Sequence, residues 1–197
     1  MPQELAKIFG SNTKAQEIIL LLKEAKEVVR QGFYDSELYQ VEKFCKENQI
    51  HVVKSKFKII LADDTPGNYS NKGIRIPEND SRCGMQFIYF SKDEQKAWLA
   101  AYYELMGNDS ELGLILGYPK CCVNYFLSNF SKNNPNPEQK GDNPYTNISK
   151  RNQDLVLISH FPCNSKCKES TQIAKHNLMV LKEKWPDRAA ELISALK

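Results

Sequence analysis

The chain has 197 residues, 41% of them hydrophobic and 26% charged, with a formal net charge of +3; this is material for one domain with a real core and too little for two large ones. No apolar run reaches the ~18 residues that a membrane helix needs, the densest stretch being Ile18 to Leu22, and the N-terminus lacks the basic, apolar and small-residue succession of a signal peptide. So small a charge does not demand a nucleic acid partner, and the expected location is the cytoplasm, where clustered cysteines serve as metal ligands or redox thiols more often than as structural disulfides.

Residues 1–10 show little pattern. From Thr13, the positions Ile18, Leu21, Leu22, Ala25, Val28 and Val29 recur at helical spacing until Gly32, which predicts one amphipathic helix. Ser36 is placed to cap a second helix that carries Leu38, Val41, Phe44 and Cys45 inward, with Cys45 as a small core hydrophobe. From Ile50 the period becomes two: His51, Val53, Ser55, Phe57, Ile59 and Leu61 face one way, and Lys54, Lys56 and Lys58 the other. That is a strand with a basic outer face. Without interleaved aromatics the lysines read as a solvated or edge-guarding row before a nucleic acid contact, and His51 reads as a partly buried strand residue.

The segment from Asp63 to Lys72 is rich in turn formers, with Thr65-Pro66-Gly67-Asn68 its clearest signal. Ile74 to Ile76 and Met85 to Phe90 then supply further short strands of a small antiparallel sheet. Cys83 precedes the last of these. Ser91 and Glu94 form a capping box for a helix running through Ala97, Trp98, Ala101, Tyr102 and Leu105 to Gly107. Asn108 or Asp109 caps a short helix from Ser110 to Leu116. After Pro119 the residues Cys122, Val123, Phe126, Leu127 and Phe130 make one helical face, with Cys121 to its side.

Residues 131–150 hold three Pro, one Gly and five Asn and read as a long loop, a lid or a linker. Leu155-Val156-Leu157-Ile158 suits a strand or a buried helix equally. From Pro162 a long helix is expected to carry Cys163, Cys167, Ser170, Ala174, Leu178, Leu181 and Trp185 on one stripe, and Pro186 restarts a terminal helix. The predicted fold class is α+β: one helix-dominated domain over 1–197, with a helical hairpin and small sheet in 1–90 and a helical, cysteine-bearing half in 91–197.

Four of the six cysteines lie in Gly117-Tyr118-Pro119-Lys120-Cys121-Cys122 and His160-Phe161-Pro162-Cys163-Asn164-Ser165-Lys166-Cys167. In each run a proline precedes cysteines at a predicted helix start, where unpaired N–H groups favour thiolate. Three thiolates, Cys122, Cys163 and Cys167, with Cys121 or His160 as fourth ligand, would suit zinc at ~2.3 Å Zn–S distances or an iron-sulfur cluster. Soft donors of this kind point away from magnesium and calcium. Glu111, Tyr118, Asn143 and Tyr145 are the polar neighbours expected to support the centre or a substrate. The catalytic residues, and the small-molecule or protein partner, stay open.

Two comparisons bear on this. Cys163-x3-Cys167-x2-Ser170 is similar to the CxxxCxxC signature of radical S-adenosylmethionine enzymes, but Ser170 stands where the third cysteine belongs and the alternating strand-helix pattern of their barrel is missing. The run from Glu111 to Phe126, with His160 to Cys167, resembles a prokaryotic, chiefly archaeal family described only as a domain of unknown function, over roughly Phe87 to Leu181. That resemblance implies a small intracellular protein and brings no activity. The sequence therefore predicts a metal-binding protein, a metalloenzyme if one coordination position is open. Its alternatives are a metal-free thiol redox or persulfide-carrying protein, and an interaction module using Lys54, Lys56 and Lys58.

Overall fold

The computed structural model describes residues 2–61, 73–131, 133–138 and 141–196. Among them are eight α-helices and a four-stranded antiparallel sheet, the expected α+β class. In chain order these are α1 (Pro2–Phe9), α2 (Asn12–Leu22), β1 (Val28–Phe33), α3 (Asp35–Glu47), β2 (His51–Leu61), β3 (Gly73–Pro77) and β4 (Met85–Ser91). Then follow α4 (Glu94–Leu105), α5 (Asp109–Ile115), α6 (Lys120–Asn129), α7 (Lys168–Lys184) and α8 (Pro186–Ala195). The strand order is β1-β4-β2-β3. The turn expected at Thr65-Pro66-Gly67-Asn68 lies outside the described residues.

The first half departs from expectation in several places, among them the start of α3, whose cap position is Tyr34 and not Ser36. The unpatterned N-terminus is helix α1, which buries Leu5 and Phe9. The single helix expected from Thr13 to Gly32 is two elements. α2 stops at Leu22, Glu24 adopts φ 57°, and the N–H groups of Ala25 and Lys26 return to Leu20 O, so the chain reverses into β1. Val28 and Val29 then point to opposite faces of the sheet, as period two requires. Both are buried because helices cover each face.

On one face Val29, Phe33, Ile88 and Phe90 meet α1, α2, α3, α7 and α8 in the main core, where Phe9, Phe33 and Phe90 pack edge to face with centroids 6.0–6.2 Å apart. On the other, Val28, Val53 and Tyr89 meet α4 and α5. Helix α4 approaches the sheet closely because Ala97 and Ala100 face it; Trp98, Tyr102 and Leu105 face solvent. Its cap is Asp93, whose carboxylate accepts from Gln95 N and Lys96 N. Ser91, expected in that role, accepts from Asp93 N and donates to Glu27 O.

Strand β2 shows the expected alternation, with Val53, Ser55 and Phe57 buried, while His51 is exposed at its start rather than partly buried. Its lysines are engaged: Lys54 with Glu42, Lys56 with Glu78, and Lys58 with the carbonyl of Asp80.

Leu155 to Ile158 is neither strand nor helix. It runs through the main core with Val156 O accepting from Gln16 Nε2 at 3.1 Å and Leu157 O from Asn177 Nδ2 at 2.9 Å, which meets the demand that buried backbone be paired. Just before it, Asp154 at φ 64° completes the capping of α2 that Ser11 begins through Lys14 N, accepting from Asn12 N at 2.5 Å and Thr13 N at 3.0 Å across 142 positions of chain. Arg188, 2% exposed, donates to the Asp154 carbonyl. Asp154→Ala is expected to cost ~2 kcal/mol through the lost cap and the strained left-handed residue. Asp154→Asn keeps an acceptor and tolerates that conformation, so it costs less; equal midpoints in urea for both variants and wild type would refute the assignment.

Candidate metal centre

Two turns deliver the cysteines. Helix α5 ends at Gly117, φ +77°, where Tyr118 N bonds Gly113 O and Gly117 N bonds Leu114 O, the left-handed termination that glycine favours. Gly113 has no room for a side chain, since a Cβ there would stand 2.7 Å from Val123 Cγ2, so α5 and α6 are in close contact. Pro119 starts α6 and its carbonyl accepts from the N–H of Cys122 and Val123. Cys122 in this first turn is 1% exposed; Cys121 faces out.

The second turn differs from the helix expected at Pro162. Helix α7 begins at Lys168 with Cys167 as its cap, so Cys163 and Cys167 bracket a turn and do not ride one helical face. Asn164 and Ser165 explain this: Asn164 Oδ1 accepts from Lys166 N at 2.9 Å, an Asx turn that competes with helix. Residues of the 131–150 stretch hold the turn from outside. Asn143 Nδ2 and Thr146 Oγ1 both donate to Ser165 O at 2.7 Å, and a Cβ at Gly141 would stand 2.1 Å from Ser165 Cβ. The later part of this stretch, expected as a lid or linker, thus buttresses the cysteine turn.

The four sulfurs meet. Cys121, Cys122, Cys163 and Cys167 have Sγ atoms all within 4.8 Å of one another, with Cys121–Cys122 and Cys121–Cys167 at 3.8 Å and Cys122–Cys167 at 3.7 Å. His160 is not in this group. Its Nε2 lies 2.8 Å from Ser170 Oγ, which is 3.2 Å from Cys122 Sγ and donates to Cys167 Sγ at 3.3 Å. Against thiolate acceptors the Ser170 proton must point to sulfur, so His160 must donate through Nε2–H. The tilted ring of Tyr118 covers the imidazole at 5.2 Å, and behind it Lys26 bonds Glu17 at 2.6 Å and Ser159 at 2.9 Å.

Of the other expected polar neighbours, Asn143 braces the Ser165 carbonyl, and Tyr145 sends its N–H to Asn143 Oδ1 with Lys175 over its ring. Glu111 lies exposed in the first turn of α5. Cys45 is wholly buried in the main core and Cys83 is exposed outside the cluster. Sequence reasoning missed the roles of Ser170, Thr146, Ser159 and Lys26; a serine on the apolar stripe of α7, one turn after a cysteine, was the available signal for Ser170.

Burial pushes the Cys122 thiol well up and Cys163 up to about 11, neighbouring sulfurs adding to the latter. Burial also opposes ionisation of Cys167, but hydrogen bonds from Ser170 and the adjacent thiols outweigh it and bring Cys167 down to about 7. Cation binding therefore displaces thiol protons. Burial, with Lys26 and Arg151 near, holds His160 down to about 3. Since an unfolded histidine titrates near ~6.5, the unfolded chain takes the proton first as pH falls. The stability His160 contributes is complete above that value and is lost toward pH 3. Replacement by glutamine is expected to flatten the acid slope of unfolding free energy by up to ~1.4 kcal/mol per pH unit; parallel slopes for wild type and His160→Gln in urea titrations would exclude this.

Fold and site together define an α+β protein with a tetracysteine cluster able to hold a metal ion. Residues 99–196 match a family described as protein of unknown function (DUF483), a span that contains all four cysteines and agrees with the expected likeness to an uncharacterised domain family. No curated protein and no solved structure matches the chain. Among the described residues no helix is long and apolar enough to cross a membrane.

Proposed function

We propose that this is a zinc-binding protein whose four cysteines hold one tetrahedrally coordinated ion. The observation that carries the reading is the sulfur spacing. A tetrahedron with ~2.3 Å metal–sulfur bonds has edges of ~3.8 Å; of the six sulfur pairs, the three among Cys121, Cys122 and Cys167 stand 3.7–3.8 Å apart and those with Cys163 lie within 4.8 Å. A polynuclear iron-sulfur cluster divides its four thiolates between two or among four irons with bridging sulfides between, so it would require the sulfurs to spread.

With four protein ligands the coordination sphere is closed, which suits a structural clip and leaves no position for a substrate to be polarised. The clip joins the start of α6 to the turn before α7, across 45 residues of chain between Cys122 and Cys167. Elemental analysis and an absorption spectrum of anaerobically purified protein test this. One zinc per chain and no visible absorption are expected. Stoichiometric iron with a visible charge-transfer band would replace zinc by iron, and a metal-free sample with a reversible disulfide among these cysteines would replace the reading by a thiol redox one.

A further inference from the structure

The four sulfurs are not equivalent. Cys122 accepts from the Cys163 N–H at 3.3 Å and faces Ser170 Oγ at 3.2 Å. Cys167 accepts from Ser170 at 3.3 Å, and Cys163 from the Asn164 amide at 3.3 Å. Among the described residues, Cys121 accepts no hydrogen bond from any N–H or O–H; the sulfurs of Cys122 and Cys167 each stand 3.8 Å from it, and that of Cys163 within 4.8 Å. It is also the exposed member of the set, Cys163 being half-buried and Cys122 and Cys167 buried.

Donated hydrogen bonds withdraw electron density from a ligating thiolate, and these outer contacts tune how a metal site behaves. Four thiolates around a divalent cation leave two negative charges, so a sulfur without donors stays electron-rich. Resting on the tetrathiolate reading above, we infer that Cys121 is the nucleophilic thiolate of the centre, an acceptor for alkyl groups from soft sp3-carbon electrophiles. In the step a Cys121 Sγ lone pair forms the S–C bond. The bond from carbon to its leaving group breaks, the leaving group departs as an anion with both electrons, and no proton moves. The product is a thioether at Cys121, and the charge on the site falls to one negative.

Iodoacetamide, whose leaving group is iodide, tests this on full-length protein whose zinc content is measured in the same sample, with alkylation followed by peptide mapping over time. Cys83, exposed and outside the cluster, gives an internal rate reference. Cys121 is expected to be carbamidomethylated about tenfold faster than any other ligand, with zinc retained through that first event. In Asn164→Ser, which keeps an oxygen for the Lys166 N–H and withdraws the amide donor, the Cys163 rate is expected to rise several-fold. Zinc-loaded protein in which Cys163 reacts first, or in which all four ligands react together as zinc leaves, overturns the assignment while the tetrathiolate reading stands. So does an unchanged Cys163 rate in Asn164→Ser. A sample without metal overturns both.

Discussion

Serine in place of Cys122 or Cys167 is expected to remove the metal and lower the thermal unfolding midpoint by ~10 °C or more. These are the two buried sulfurs, 3.7 Å apart, and they share the Ser170 hydroxyl. Helix α6 rests on α5, and α7 on α2 and α8; among the described residues the two cysteine-bearing segments meet through the thiolates and Ser170, the Tyr118 ring on His160, and the stacking of Phe126 on Phe161. A structural zinc site contributes its binding free energy to folding, ~10 kcal/mol or more in small peptides at neutral pH. Even a third of that shifts the midpoint of a chain this long by ~10 °C, at ~2–4 °C per kcal/mol. Calorimetry with and without a chelator checks the result. Cys121→Ser, at the exposed vertex, is expected to lower affinity while retaining metal. An unchanged midpoint in Cys122→Ser or Cys167→Ser, or in chelated wild type, would show that the cluster does not clip the helices.

Glu104→Ala is expected to destabilise the sheet and its α4 layer by ~3 kcal/mol, near the lower figure for breaking a buried pair because Arg30 retains some contact with water. Glu104 is 5% exposed and accepts from Arg30 Nε and Nη2, both at 2.5 Å, and from Tyr89 Oη at 2.6 Å. It thereby ties α4 to β1 and β4. Burial, then Glu104 itself, holds the Tyr89 phenol above its ordinary range, so that hydroxyl is a permanent donor. Truncation leaves Arg30, whose guanidinium lies 3.5 Å from the Phe87 ring centroid, without its counterion and Tyr89 without its acceptor. Glu104→Gln keeps the shape and one acceptor and is expected to cost about half as much. Chemical unfolding monitored by circular dichroism reads both, and a Glu104→Ala midpoint equal to wild type would refute the account.

What was legible beforehand follows the range of each signal. The periods of α3 and β2, the glycine and proline around Gly117-Tyr118-Pro119, and the restart at Pro186 act within a few residues, and the sequence carries them whole. So does the α+β class, and so does the place of Cys121 and Cys122 in the first turn of α6, whereas the helix expected to carry Cys163 and Cys167 begins only at Lys168. Val28 and Val29 misled because their spacing from Leu21 and Leu22 fits a helix as well as a strand. The choice was made by pairing with Phe90 and Ser91, sixty residues on, which no local window contains.

The amino-acid sequence by itself determined that cysteines would stand at the front of α6 and beside the start of α7, because proline, asparagine and glycine act through their own backbones. Only the tertiary structure decided that Cys121 joins the cluster while His160 stands behind Ser170, and that Asn143 and Thr146 hold the Ser165 carbonyl. Those choices depend on which side chains arrive opposite one another once the two faces of the sheet are covered. Hydrogen bonds across tens of residues form only after burial has removed water as the competing partner.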